Sequence, residues 1–338
     1  MWPLRANRRQ ERCARSRLVS RILKTCMNNP SPTADAKSST GEFKRQEDAF
    51  RDWISADGST GFPATAGRYH LYVSLACPWA TRTAIVRKLL ALEAAIGMTV
   101  VDPIRDEHGW AFRKGPDYDT DPINGFAYLA EAYTATNPDY QAHVTVPVLW
   151  DKQTKRIVNN SEDDICRMFQ DAFRQFGNEV DLFPRDIAEE QAQLSKFLYE
   201  NVNNGVYLAG FAISQRAYEA SCRKVFAALD QLEERLAAQR YLFGKRLVES
   251  DLRLFCTLIR FDAVYHGHFK CNLSRIADYA NLQGYLMDLY QQPEIAQYVN
   301  LDHIKRHYYI TQRDINPTGI VPIGPKLHLT GPHGREAL

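Results

Sequence analysis

The chain has 338 residues, 45% hydrophobic and 24% charged, the make-up of a globular protein with one large or two ordinary domains. No apolar run approaches the ~18–20 residues of a membrane-spanning helix, so no transmembrane helix is expected. The formal net charge is +2, but residues 1–27 hold seven Arg and one Lys against Glu11 alone; that is +7, which leaves −5 for the rest and argues against a nucleic-acid groove.

In chain order, the Arg-rich and nearly acid-free opening has the composition of a transit peptide. A disordered tail or a misassigned start would look the same, so a mitochondrial and a cytoplasmic location both stand. Residues 28–60, rich in Ser, Thr, Asp, Lys and Gly, show neither helical nor strand periodicity. Residues 1–60 are therefore expected to form a basic leader and a disordered linker. "GRYHLYVSLA", 67–76, is a short apolar run rich in strand formers. "PWATRTAIVRKLLALE" follows, with Trp79, Ala84, Ile85, Val86, Leu89, Leu90 and Leu92 at helical spacing. "MTVVDPI", 98–104, predicts a second strand. Residues 105–140 read as a long loop with a short helix near 126–135. "VTVPVLWD", 144–151, and "RIVNN", 156–160, bracket the polar turn "KQTK". "SEDDICRMFQDAF" predicts a helix that opens on acids, as its dipole favours. This order describes a small α/β domain with a mixed sheet, expected over 61–176. From about 186 every segment carries helical spacing, which predicts an all-α domain over 186–314. The Pro/Gly-rich end, 315–338, is expected to be irregular.

Seven cysteines stand at 13, 26, 77, 166, 222, 256 and 271, with no C-x-x-C and no zinc-finger spacing. A reducing compartment suits them better than a disulfide scaffold. Cys77 closes the first strand and precedes Pro78, so it falls at a helix N-cap with Pro at the first helical position. The free amides of that turn stabilise an anion and lower a thiol pKa from ~8.5 toward or below neutral. The expectation is a thiolate at cellular pH. Ala80 stands where a second cysteine would complete a dithiol, so the reaction partner must be an external thiol. The His pairs at 266–268 and 302–307 lack a carboxylate or cysteine to complete a metal site, and no metal is expected.

"SLACPWATRT", "GWAF", "DPINGFAYL", "VTVPVLWD", "NNGVYLAGFA", "RLFCTLIRFDAVYHGHFKCN" and "INPTGIVPIGP" resemble the glutathionyl-hydroquinone reductases, the Xi class of glutathione transferases. The resemblance runs from about 60 to 327. It implies a thioredoxin-like N-terminal domain, an all-α C-terminal domain, glutathione as co-substrate and a homodimer. It implies that Cys77 attacks the sulfur of a glutathionyl-hydroquinone. Tyr207 would protonate the ring carbon, and Tyr265 and Tyr308 would ease the ionisation of Tyr207. A second glutathione would resolve the mixed disulfide. Trp110 is implied to pack on glutathione, and residues His143, Val144, Thr145 and Val146 to pair with its backbone beside a cis Val146–Pro147 bond. Ser161 and Glu162 are implied to hold its γ-glutamyl end.

Four positions depart from the family pattern. Ser161-Glu162 exchanges a usual Glu-Ser, His143 replaces Arg, and Thr81 replaces His. Val248 stands where a buried capping box has Ser or Thr, and Ser250 is the expected substitute cap. Two other functions share these features: an Omega-like thioltransferase or dehydroascorbate reductase, and a catalytically silent binding protein of the same fold. The tyrosines separate them, because thiol exchange on a disulfide needs no carbon acid.

Overall fold

The computed structural model describes residues 41–338. The Arg-rich leader, with Cys13 and Cys26, lies outside them. The sheet is built of β1 (Tyr69–Val73), β2 (Ile96–Val100), β3 (Val148–Asp151) and β4 (Arg156–Asn159), in the order β2-β1-β3-β4. β1 and β2 are parallel, because helix α1 (Pro78–Leu89) carries the chain across one face; the other two pairs are antiparallel. Every residue of β1 is buried, as expected of a central strand covered on both faces. α2 (Ala130–Thr136) is the short helix expected near 126–135 within the long loop, and α3 (Glu162–Asp171) closes this half.

The second half is helical: α4 (Ala188–Leu198), α5 (Gly205–Gly210), α6 (Gln215–Leu236), α7 (Glu249–Arg260), α8 (Ala280–Tyr290), α9 (Pro293–Ala296) and α10 (Leu301–Arg306). Three π-helical turns interrupt it, at Tyr199–Asn203, Phe261–Tyr265 and His307–Thr311. Such turns widen the helix and are frequent at functional sites. No periodicity argument could have found them.

Residues 41–60 differ from the expected disordered linker. Phe43, Phe50 and Trp53 pack on the core, and Ile54 is fully buried. Phe50 N–H donates to Asn160 Oδ1 at 2.8 Å, and Asn160 N–H returns a bond to Phe50 C=O at 3.1 Å. Most of the polar residues that made this stretch read as a linker are exposed or half-buried, and its aromatics pack inward.

Two charged braces join the halves beneath α1. Buried Arg82 on α1 reaches Asp163 and Glu249, each at 2.5 Å, and Glu162 at 3.2 Å. Arg253 on α7 shares Asp163 at 2.5 Å. Fully buried Arg260 on α7 donates to Leu75 C=O, Ala76 C=O, Cys256 C=O and Thr81 Oγ1, at 2.7–3.0 Å. Thr81, which replaces the family's histidine, is thus a partner of this brace. The expected cap at Ser250 is absent: its hydroxyl meets Ser195 Oγ at 2.9 Å. The carboxylate of Asp251 takes up the work instead, accepting from Val248 N–H and Leu242 N–H, both at 2.9 Å, and from Tyr285 O–H at 2.8 Å. The reciprocal half of a capping box therefore survives without the hydroxyl.

The irregular end is pinned. Arg335 is buried and donates to the carbonyls of Leu236, Gln239 and Arg240 at the end of α6, where a cation suits the helix dipole.

Candidate active site

Cys77 caps α1 with extended backbone angles (φ −81°, ψ 123°) and Pro78 at the first helical position, the geometry its sequence predicts. The surroundings of the sulfur pull against the expected thiolate. Burial pushes the thiol above its ordinary value. The amides of Ala80 and Trp79 and the charge of Arg260 pull the other way without overcoming it. The S–H donates to Val146 C=O, with sulfur and oxygen 3.7 Å apart. A bond given by the neutral thiol favours the neutral form, so both effects point to a protonated sulfur in the free protein.

Val146–Pro147 is cis. Along 143–146 the backbone is partly engaged. His143 N–H donates to Gln46 Oε1 at 2.9 Å, and its C=O accepts from Tyr140 O–H at 2.7 Å. Thr145 C=O accepts from Tyr133 O–H at 2.9 Å. Val144 and Val146 are buried, and Val146 is the one of the four whose carbonyl faces the sulfur.

Ser161 is the N-cap of α3; it is buried and gives its N–H to Asn159 Oδ1 at 2.7 Å. Its hydroxyl bonds the carboxylate of Asp48, whose pKa is raised by burial despite that bond. Burial, with Asp163 and Asp48 nearby, pushes Glu162 up to about 7 against the pull of Arg82. Burial would also raise Asp163, but Arg82 and Arg253 hold it below the usual carboxylate range. Asp48, like Arg45 and Gln46, belongs to the segment read as linker. Asp48 thus brings a second carboxylate, beside that of Glu162, to the start of α3.

Tyr207, Tyr265 and Tyr308 are brought together from three places in the sequence. Tyr207 opens α5 just after the first π turn, Tyr265 ends the second, and Tyr308 lies in the third. The phenol oxygens of Tyr207 and Tyr308 are 2.5 Å apart, those of Tyr265 and Tyr308 3.1 Å, and those of Tyr207 and Tyr265 3.5 Å. Burial raises the pKa of Tyr207, and an ionised Cys77 would raise it further; Arg45 and bonds from the other two phenols lower it. The Tyr207 ring stacks on Trp79, two residues after the cysteine, with centroids 6.3 Å apart. Phe269 packs on all three tyrosines at 5.4–5.7 Å. It can do so because residue 210 is glycine: a Cβ there would stand 2.2 Å from its ring.

Trp110 is buried and stacks on His307, with centroids 4.9 Å apart and planes at 16°. Arg105 lies 5.6 Å from its ring centre. The Nε of Arg105 is buried without an acceptor, and burial pulls its pKa down to about 10. No pattern in the sequence marked Arg45, Asp48 or Arg105. Among the described residues no cluster of His, Cys, Asp and Glu could hold a metal, and no helix is long and apolar enough to cross a membrane.

The arrangement sets a capped cysteine beside an aromatic wall that ends in a cluster of phenols. Glutathione S-transferase family models match at residues 76–172 (N-terminal domain) and 215–286 (C-terminal domain). The chain is 48% identical to the glutathionyl-hydroquinone reductase YqjG of Escherichia coli (strain K12), over 89% of this chain and 94% of that protein. It is 47% identical to the glutathionyl-hydroquinone reductase PcpF of Sphingobium chlorophenolicum, over 88% and 94%. The glutathione-bound structure of YqjG superposes with a TM-score of 0.83 at 49% identity, covering 85% of this chain and 96% of that one.

Proposed function

The chain belongs to the glutathionyl-hydroquinone reductases, the Xi class of glutathione transferases, and from that premise we propose how its residues carry out the reaction. It reduces glutathionyl-hydroquinones to hydroquinones with glutathione as co-substrate. Glutathione lies against Trp110 and the stretch His143–Val146, with its γ-glutamyl end at Ser161 and Glu162. Pairing of its cysteinyl N–H with Val146 C=O removes the acceptor that favours the neutral Cys77 thiol. Binding thereby assists ionisation, which the helix amides and Arg260 already support. The thiolate attacks the sulfur on the ring, and Tyr207 delivers a proton to the ring carbon. A second glutathione attacks the mixed disulfide on Cys77 and leaves as oxidised glutathione.

The observation that carries this reading over thiol exchange is the phenol cluster. Three buried tyrosines within hydrogen-bond reach of one another make an acid that a disulfide substrate does not need. The test supplies glutathione and a glutathionyl-benzohydroquinone, with a glutathione mixed disulfide as a parallel substrate. Free hydroquinone and oxidised glutathione are expected, and Cys77→Ala abolishes both. Turnover of the disulfide alone would favour the Omega-like reading; no turnover of either would favour a silent binding protein.

The domain division is part of the same reading: a thioredoxin-like unit over 61–176, a helical unit over 186–314, and a tail over 315–338. We further place the protein in the cytoplasm or the mitochondrion, as a homodimer.

A further inference from the structure

Arg45 enters the site from the amino-terminal segment. Its Nε donates to Asn204 Oδ1 at 2.8 Å. Its guanidinium carbon lies 4.8 Å from the ring centre of Tyr207, 5.0 Å from that of Trp79 and 5.7 Å from that of Phe43. The cation thus lies alongside the stacked pair, about equally near the Trp79 ring and the ring of the proton donor. Aromatic faces attract it, but they accept no directed hydrogen bond of ordinary strength. The Nη2 nitrogen is buried and has no acceptor. Among the described residues no carboxylate lies within ion-pair distance of this half-buried arginine, whereas the buried Arg82 and Arg253 are both paired. A buried donor without an acceptor is a cost that a bound group can relieve.

The chemistry supplies such a group. In a glutathionyl-hydroquinone the carbon that bears sulfur adjoins a carbon that bears a hydroxyl. If Tyr207 faces the first carbon, the neighbouring oxygen lies beside the Tyr207 ring, which is where Arg45 stands. We propose that Arg45 donates from Nη2 to this ring oxygen and holds the phenolate that forms as the carbon–sulfur bond breaks. The inference rests on the function proposed above.

The electron count is as follows. Tyr207 gives its proton to the sulfur-bearing carbon while the adjacent hydroxyl passes its own proton to the Tyr207 phenolate, which restores the phenol and leaves a cyclohexadienone. The Cys77 thiolate attacks the substituent sulfur. The S–S bond forms, the C–S bond breaks, and the bonding pair flows through the ring into the carbonyl oxygen. The two sulfurs together lose two electrons and the ring gains them. The phenolate then takes up a proton to give the hydroquinone. Negative charge rests on that oxygen only after protonation of the carbon, so a donor aimed at it acts on the transition state more than on the bound substrate.

The test compares Arg45→Gln and Arg45→Lys with the unaltered full chain on three substrates. These are a glutathionyl-hydroquinone, its ring-chlorinated analogue, and a glutathione mixed disulfide in which no ring oxygen gains charge. For Arg45→Gln the ratio of hydroquinone to disulfide turnover is expected to fall ~10²-fold, carried by kcat, which is the usual loss for one oxyanion donor. The chlorinated ring should lose less, because its phenolate is intrinsically more stable. Arg45→Lys, which keeps the charge, should recover part of the rate. An equal loss on all three substrates would make Arg45 a clasp for its segment and overturn the proposal. If the unaltered chain turns over the disulfide but no hydroquinone, the proposal falls together with the function. Should Arg45→Gln fail to fold, Asn204→Ala unties the guanidinium without removing it, and the same fall in ratio is expected or the proposal is lost.

Discussion

The phenol oxygens of Tyr207 and Tyr308 stand 2.5 Å apart although the residues are 101 positions apart in the chain. A short bond between two buried phenols stabilises the charge that appears when one of them gives up its proton. This contact offsets part of the burial that leaves Tyr207 a weaker acid than free tyrosine.

Tyr207→Phe should slow hydroquinone release ~10²-fold, the ordinary share of a positioned general acid. The Cys77 adduct with glutathione should still form from a disulfide donor, and intact-protein mass reads it directly. Failure of that adduct to appear would count against the division of labour between sulfur and phenol.

Tyr308→Phe leaves the acid in place but removes its nearest partner. A smaller loss is expected, ~10-fold, which corresponds to one hydrogen bond to a charged group. The loss should shrink as pH rises, because the weakened acid is then compared with a wild type that has itself begun to ionise. A loss independent of pH would mean that the tyrosine only packs.

The Cys77 thiol of the free protein should titrate above an ordinary cysteine, since burial outweighs the helix amides and Arg260. With S-methylglutathione bound, the midpoint should fall, because the ligand's backbone competes for Val146 C=O. Ultraviolet thiolate absorbance, with Cys77→Ala as the blank, measures both. A free thiol that is already ionised near neutral pH would contradict the buried environment described above.

Asp251 makes a stability prediction of unusual sign. Burial lifts its folded pKa to about 6 from the ordinary 3.8, in spite of three donors. The folded state therefore holds this proton more tightly than the unfolded chain. Its contribution is full below the unfolded value and is lost as pH rises through the folded one. Between about pH 4.5 and about pH 7 the wild type should lose about 2 kcal/mol more than Asp251→Asn, as read from urea unfolding. Parallel curves for the two proteins would refute this.

Gly210→Ala places a carbon 2.2 Å from the Phe269 ring, which has Tyr265 stacked against it. Overpacking of this kind costs ~1–3 kcal/mol. The melting temperature should fall, and hydroquinone turnover should fall by more than the lost folded fraction explains. Turnover that merely tracks the folded fraction would show that Phe269 does not set the phenol geometry.

The sequence by itself determined what depends on neighbours along the chain. The strand–Cys–Pro–helix junction, the mixed α/β half and the helical half were legible because periodicity and capping are local effects. Cys77 at its N-cap and Pro78 at the first helical position follow from two adjacent residues. Tertiary structure decided the rest. Burial sums over every atom around a group, so the upward pull on the Cys77 thiol could not be read from its cap. The entry of Arg45 and Asp48 into the site depends on Phe43, Phe50 and Ile54 finding a core, which a polar-looking stretch concealed. The replacement of the missing cap at Val248 by Asp251 needed Leu242 and Tyr285 to arrive from elsewhere. The meeting of the three phenols likewise rests on three π turns and one glycine, whose effect appears only when distant helices pack.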